Sequence, residues 1–254
     1  MDTMGNKMTI QDHIAELRRR LIATICFFIL AFVGGFFLTE PLIIYLQQTN
    51  TATRLELNTF RLTDPLKVYF QITFLIACVF TAPFILYQLW AFISPGLYKK
   101  ERKITLTYIP ISILLFLGGI SFSYFILFPF LVDFMFHLNA QMELNAVIGI
   151  NEYFEFLFQI TIPFGLLFQL PVIILFLTRL GIITPSFLSK VRKYAYFILL
   201  ILAALITPPD IMSHIMVTIP LFVLYEISIL ISKMAYRKIE KVEQIRSARH
   251  IHKI

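Results

Sequence analysis

Charge is scarce in this chain. Of its 254 residues only 15% are Asp, Glu, Lys or Arg, against about 25% in ordinary soluble domains. With 58% hydrophobic residues and a mean hydropathy of +0.80, an ordinary water-soluble fold is excluded. Disorder needs the opposite composition and is excluded too. Cysteine is nearly absent: Cys26 and Cys78 both sit in apolar runs and form neither a metal spacing nor a disulfide framework. They read as small hydrophobes. The histidines, His13, His137, His214, His250 and His252, lack ligand spacing, so no metal is expected. The chain has no GxxxxGK[ST] phosphate loop, no HExxH and no GxSxG elbow. The acids Asp133, Asp210 and Glu226 are unpaired in sequence. Nothing here supports an enzyme or a cofactor.

What the chain does have is long charge-free intervals. Leu21 to Thr39 covers 19 residues, Val68 to Tyr98 covers 31, Ile104 to Val132 covers 29 and Phe156 to Thr178 covers 23. A helix rising 1.5 Å per residue crosses a hydrocarbon core of about 30 Å in about 20 residues. Tyr194 to Pro209 offers only 16 residues, and Ile211 to Ser232 offers 22 interrupted by Glu226. Between these two lies Thr207-Pro208-Pro209-Asp210, a turn signal too short for a domain. No stretch shows the alternation of a membrane barrel. The expected fold is therefore an all-α polytopic membrane protein, one membrane domain over residues 1–254. Its six transmembrane helices are expected at 21–39, 68–91, 105–131, 154–178, 194–208 and 211–232, with the last two short. Residues 1–20 form an N-terminal amphipathic segment and 233–254 a basic tail. The first apolar run lacks a small-residue cleavage site and reads as a span, not a cleavable leader.

Basic residues set the orientation. The N-terminal segment, the second and fourth connections and the tail hold 19 of the 22 Lys and Arg residues, leaving only Arg54, Arg61 and Lys67 on the other side. Both termini are therefore expected in the cytoplasm. The net charge of +7 is a topology signal and not a nucleic-acid footprint. The outer connections, roughly 40–67 and 133–155, are expected to form a small cap. Pro83, Pro110, Pro129, Pro163, Pro171 and Pro220 fall inside the spans, where each removes a backbone bond and tends to bend the axis. The fifth span reaches about 24 Å even if all its residues are helical. That shortfall implies either a thinned membrane or recess beside Leu199 and Leu202, or snorkelling of Lys193 and Tyr194.

Two carboxylates lie in basic surroundings on the expected cytoplasmic face. Glu16 sits in His13-Ile14-Ala15-Glu16-Leu17-Arg18-Arg19-Arg20-Leu21, where Ile10, Ile14, Leu17 and Leu21 recur at helical spacing. This stretch is expected to lie along the membrane surface and then turn into the first span. Glu101 sits in Tyr98-Lys99-Lys100-Glu101-Arg102-Lys103. Plain structural roles are open to both: an i,i+4 pair with Arg20 for Glu16, and a helix N-terminus for Glu101. The functional alternative is a receptor for a peptide carrying two arginines, since a guanidinium fork matches a carboxylate bidentately and an ammonium does not. Phe92, in Trp90-Ala91-Phe92-Ile93-Ser94-Pro95-Gly96-Leu97, offers a stacking wall.

The segments HIAELRRRL, YQLWAFISPGLYKKERK, SYFILFPF, ITPPD and YEISILIS, in that order along the chain, together resemble the TatC family. That family provides the multi-span signal receptor and core of the twin-arginine protein translocase. The resemblance implies signal-peptide-binding roles for Glu16, Arg18, Phe92 and Glu101. It also implies single-span TatA/TatB-type partner subunits, a homo-oligomeric receptor complex, and export of folded proteins across the cytoplasmic membrane by the proton-motive force. Asp210 matches a family position in the outer turn, and Thr207 a polar position close by. In Phe168-Gln169-Leu170-Pro171 the family often has Glu where this chain has Gln169. A neutral amide avoids the cost of a charge at membrane depth and can still hydrogen-bond, either to a partner subunit or within the monomer. Glu226 is the remaining intramembrane acid, expected to pair with a base such as Arg179 or Lys193 unless it has a partner-subunit role. The rival reading is a small-solute transporter, which calls for internal repeats that the chain does not show.

Overall fold

The computed structural model describes residues 10–48, 57–93, 108–144, 147–207 and 210–251. Glu101 with its basic neighbours and Pro208-Pro209 lie outside the described residues. The described chain is helical: α1 Ile10–Gln47, α2 Asp64–Ile93, α3 Tyr108–Phe122, a π-helical turn Ser123–Leu127, α4 Phe128–Gln141, α5 Ile150–Leu167, α6 Leu170–Arg179, α7 Pro185–Lys190, α8 Arg192–Ile206 and α9 Ile211–Ile251. Among the described residues, five stretches are long and apolar enough to cross a bilayer: Ile14–Gln47, Asp64–Leu89, Ile109–Gln141, Ile150–Arg179 and Ile211–Arg237. The sixth expected crossing corresponds to α8, whose 15 residues span about 22 Å and fall short of that length.

One expectation is corrected at the N-terminus. The amphipathic segment does not turn before the first span; α1 is one continuous helix of 38 residues. Between Ile10 and Phe32 there is neither Gly nor Pro, and Ala, Leu, Glu and Arg all favour helix, so nothing in the local chemistry breaks it. Pro110 sits in the first turn of α3, and the other five prolines divide into two kinds. Pro83, Pro163 and Pro220 lie within unbroken helices. Pro129 is the second residue after the π turn, and Pro171 the second after the interruption at Phe168-Gln169. In both latter cases the ladder changes register where a proline withholds an N–H.

The chain packs as two compact units, Met1–Leu114 with Phe128–Phe158, and Leu115–Leu127 with Gln159–Ile254. In the first unit α1 lies against α2 through aromatic rings. Phe27 stacks on Phe84 at 4.5 Å, and Phe36 meets Tyr69 and Phe70 at 5.4 and 5.7 Å. Two backbones approach where Gly35 faces Thr73 and Ile76, and a Cβ there would meet both at 3.3 Å. Just beyond, the hydroxyls of Thr39 and Thr73 are hydrogen-bonded at 2.8 Å, each fully buried. The first and third connections meet in a parallel bridge, Asn58 to Gly149, with Asn58 N–H donating to Ile148 and Ile150 N–H to Asn58.

In the second unit, Gly119 lets Phe164 and Phe168 close on the helix carrying it, while Phe122 packs on the same two rings. Ser123 donates to Thr161 at 3.1 Å. The end of α6 is tied to α9 by Thr178 and Ser232, 2.8 Å apart and fully buried. Gly181, at φ +71°, then stops α6 with a left-handed residue that only glycine adopts freely. Thr184 caps α7 by accepting from Phe187 N–H. Leu199 is buried within the fold, whereas Leu200 and Ile201 are exposed.

Candidate functional site

The i,i+4 spacing of Glu16 and Arg20 places both on one face of α1, toward α2. Arg20 donates from Nε and Nη2 to the same oxygen, Oε1 of Glu16, at 3.1 and 2.5 Å. Its remaining terminal nitrogen, Nη1, donates to Oε1 of Gln88 on α2 at 3.0 Å. Oε2 of Glu16 is buried and has no partner. Glu16 and Arg20 are only 19% and 24% exposed at the side chain, so the pair is partly sheltered from water. Beside them opens a cavity of about 410 Å³ lined by Glu16, Arg19, Arg20, Ala23, Tyr87 and Gln88.

This corner holds a carboxylate, two guanidinium groups, an amide and a phenol, with no nucleophile-and-base pair. These groups can make charge-assisted hydrogen bonds. Arg18 is exposed on α1 and does not line the cavity. Phe92 lies half-buried in the last turn of α2, four residues beyond Gln88 and hence on the same side of that helix. Gln88 is the residue that sequence reasoning missed. It is the amide of Tyr87-Gln88-Leu89-Trp90 in an interval otherwise free of charge, a signal that was present but had no partner within reach in sequence.

The other polar positions lie in the second unit. Gln169 occupies the interruption between α5 and α6, 7% exposed, its backbone carbonyl accepting from Val172 and Ile173 N–H. Thr207 caps the end of α8 and is buried, its hydroxyl donating to the Ala203 carbonyl at 3.0 Å. Asp210 opens α9: Oδ1 accepts from Ser213 N–H at 2.7 Å, the geometry of an N-cap. Glu226 meets Arg192, whose Nε lies 2.9 Å from Oε1 and whose Nη2 donates to Oε2 at 3.1 Å. The Tyr196 hydroxyl donates to its Oε1 at 2.6 Å. The base is thus Arg192, and not Arg179 or Lys193 as expected. Arg192 and Tyr196 share a face of α8 at i,i+4, whereas Lys193 is rotated about 100° away. Glu226 and Asp210 are separated by about 24 Å of helix, so they do not form one site. No group of three His, Cys, Asp or Glu able to hold a metal occurs among the described residues.

Comparison with known proteins adds four findings. A family model described as "Sec-independent protein translocase protein (TatC)" matches residues 12–220. The chain is 65% identical over 236 residues to the Sec-independent protein translocase protein TatCy of Bacillus subtilis (strain 168), covering 93% of each chain. It is 59% identical over 239 residues to the TatC protein of Halalkalibacterium halodurans, covering 94% of each. A crystal structure of the twin arginine translocase receptor TatC superposes with a TM-score of 0.78 at 33% identity, over 88% of this chain and 99% of that one.

Proposed function

This chain belongs to the TatC family of Sec-independent protein translocase proteins, and from that premise we propose that it is the receptor for twin-arginine leaders. It is a multi-span helical membrane protein of a protein translocase. In the proposed reading both termini face the cytoplasm and α8 is a sixth, short crossing, as the distribution of Lys and Arg supports. Glu16 and Glu101 each receive one guanidinium of the leader. Phe92 supplies an apolar wall beside them, and Arg18 fixes the charge balance of the rim.

The observation that carries this reading is the Glu16 carboxylate, half-satisfied beside a cavity at the α1–α2 corner. A buried carboxylate oxygen without a donor costs free energy that an incoming guanidinium recovers. The complete function is recruitment of single-span TatA/TatB-type subunits to a homo-oligomeric receptor complex that exports folded proteins across the cytoplasmic membrane. The proton-motive force drives it. In this scheme Gln169, Thr207, Asp210 and Glu226 are intramembrane polar positions that either meet those subunits or brace the fold.

Photocrosslinking of an Arg-Arg precursor to this chain in membranes tests the receptor role. Glu16→Gln or Glu101→Gln is expected to abolish the crosslink while membrane insertion stays intact. A Lys-Lys precursor is expected to crosslink poorly to the unaltered chain. Equal crosslinking of both precursors, or full crosslinking in the Glu16→Gln/Glu101→Gln double variant, would remove the reading.

A further inference from the structure

Glu16 is not an empty receptor. Two of the three nitrogens of the Arg20 guanidinium already point at it, so a leader arginine arrives at a carboxylate that has a resident guanidinium. The third nitrogen holds the Gln88 amide oxygen on the neighbouring helix. We propose that Arg20 is an internal competitor for the leader site, and that Gln88 is the berth that retains Arg20 when a leader arginine takes Glu16. This rests on the leader-receptor reading above and adds two residues to it.

Three features of the geometry argue for exchange. Arg20 spends both donors on Oε1, leaving Oε2 buried and unsatisfied. Its hold on the carboxylate is therefore not the parallel two-oxygen fork that makes Arg–carboxylate pairs strong. A guanidinium entering from the cavity makes the better pair once the carboxylate turns to present both oxygens, which gives the exchange a driving force. Next, Glu16, Arg19 and Arg20 together carry a net positive charge at the cavity wall. A cationic leader is drawn to the Glu16 carboxylate itself only as Arg20 turns from it toward Gln88. Lastly, Gln88 is neutral. It can keep the displaced guanidinium satisfied by a charge-assisted hydrogen bond without outcompeting Glu16 for it. A carboxylate at position 88 would trap Arg20, and an apolar residue there would leave it only Glu16.

Competition of this kind lowers the affinity for every cationic leader by a common factor. It leaves the Arg-to-Lys ratio set by the fork geometry, but it moves weak leaders below the concentration at which they are captured. Gln88 acts here as a positioning residue, since it reaches the leader only through Arg20.

The test uses the full chain in detergent or nanodiscs, with Kd measured for synthetic leader peptides bearing Arg-Arg or Lys-Lys. Arg20→Gln removes the competitor and is expected to tighten both peptides by roughly tenfold, the scale of one charge-assisted hydrogen bond. Gln88→Leu removes the berth and is expected to weaken both by a similar factor. Each substitution deletes the same α1–α2 bridge, so a merely structural role would move the two variants in the same direction. Opposite directions support the proposal; equal directions, or no change in Arg20→Gln, overturn it. Glu16→Gln separates the two levels. If it abolishes binding while Arg20→Gln fails to tighten it, only the competitor is lost. If Glu16→Gln leaves binding intact, the receptor reading falls and the competitor falls with it.

Discussion

Tyr196 and Glu226 are joined by a 2.6 Å hydrogen bond from phenol to carboxylate, between the first turn and a half of α8 and the middle of α9. Tyr196 also stacks on Phe222 at 4.3 Å, one turn before Glu226. With Arg192 completing the pair, a helix too short to span an average bilayer is clamped to one that is long enough. The clamp combines an ion pair, a hydrogen bond and an aromatic stack on one face.

Removing one partner of the clamp should cost more than removing both. Arg192→Met leaves a carboxylate unpaired in apolar surroundings, whereas Arg192→Met with Glu226→Leu replaces the pair by packing. The Tyr196 hydroxyl still donates to the carboxylate, so the single variant should lose on the order of 1 kcal/mol. The double variant should recover most of that loss. Thermal denaturation in detergent measures both, and a double variant less stable than either single would contradict the account.

Adjacent glycines in the second unit make a sharper contrast. A Cβ on Gly119 would lie 2.8 Å from the Phe164 carbonyl oxygen and 2.9 Å from the Phe168 Cβ, while one on Gly118 meets nothing within 4 Å. Gly119→Ala is expected to destabilise by about 1–3 kcal/mol through forced separation of the helices. Gly118→Ala should cost nothing measurable. Comparable melting temperatures for the two would refute the packing argument.

Asp210 can be tested as a cap apart from its charge. Asparagine caps as well as aspartate, so Asp210→Asn should leave stability unchanged and Asp210→Ala should lose about 1 kcal/mol. If export fails in Asp210→Asn while melting is unaltered, the charge itself has a task beyond starting α9.

The short α8 predicts water or headgroups close to its middle. Ile201 is the right probe, being exposed, whereas the buried Leu199 is shielded by its own neighbours. A cysteine at Ile201 in a chain lacking Cys26 and Cys78 should react with aqueous maleimide in native membranes. Complete protection would mean that the bilayer keeps its ordinary thickness there.

Much of the helical layout was legible because charge-free length is a direct physical requirement for crossing lipid. The intervals around Leu21–Thr39 and Val68–Tyr98 each fall within a continuous helix at least as far as the described residues extend. Less legible was where helices stop. The span expected to end at residue 39 belongs to a helix that continues through Pro41 to Gln47, one missing N–H being tolerated within a packed membrane helix. Least legible were the long-range partners. Glu16–Arg20 is a local pair and could be read from spacing, but Gln88 lies 68 residues from Arg20. Likewise Arg192 reaches Glu226 only because the azimuth of α8 against α9 favours its face over that of Lys193. Relative helix rotation comes from the packing of many side chains and leaves no trace in a single segment.

The last helix has a mechanical consequence. α9 runs for 41 residues without interruption, about 62 Å, and its apolar part ends at Arg237. Some 20 Å of stiff rod therefore continues beyond the greasy portion, rigidly joined to the segment that grips α6 and α8. A tilt of a few degrees where Glu226 is held becomes a sweep of ångströms at Ile251. A reporter dye near Ile251 would thus act as an amplified gauge of rearrangements deep in the bundle.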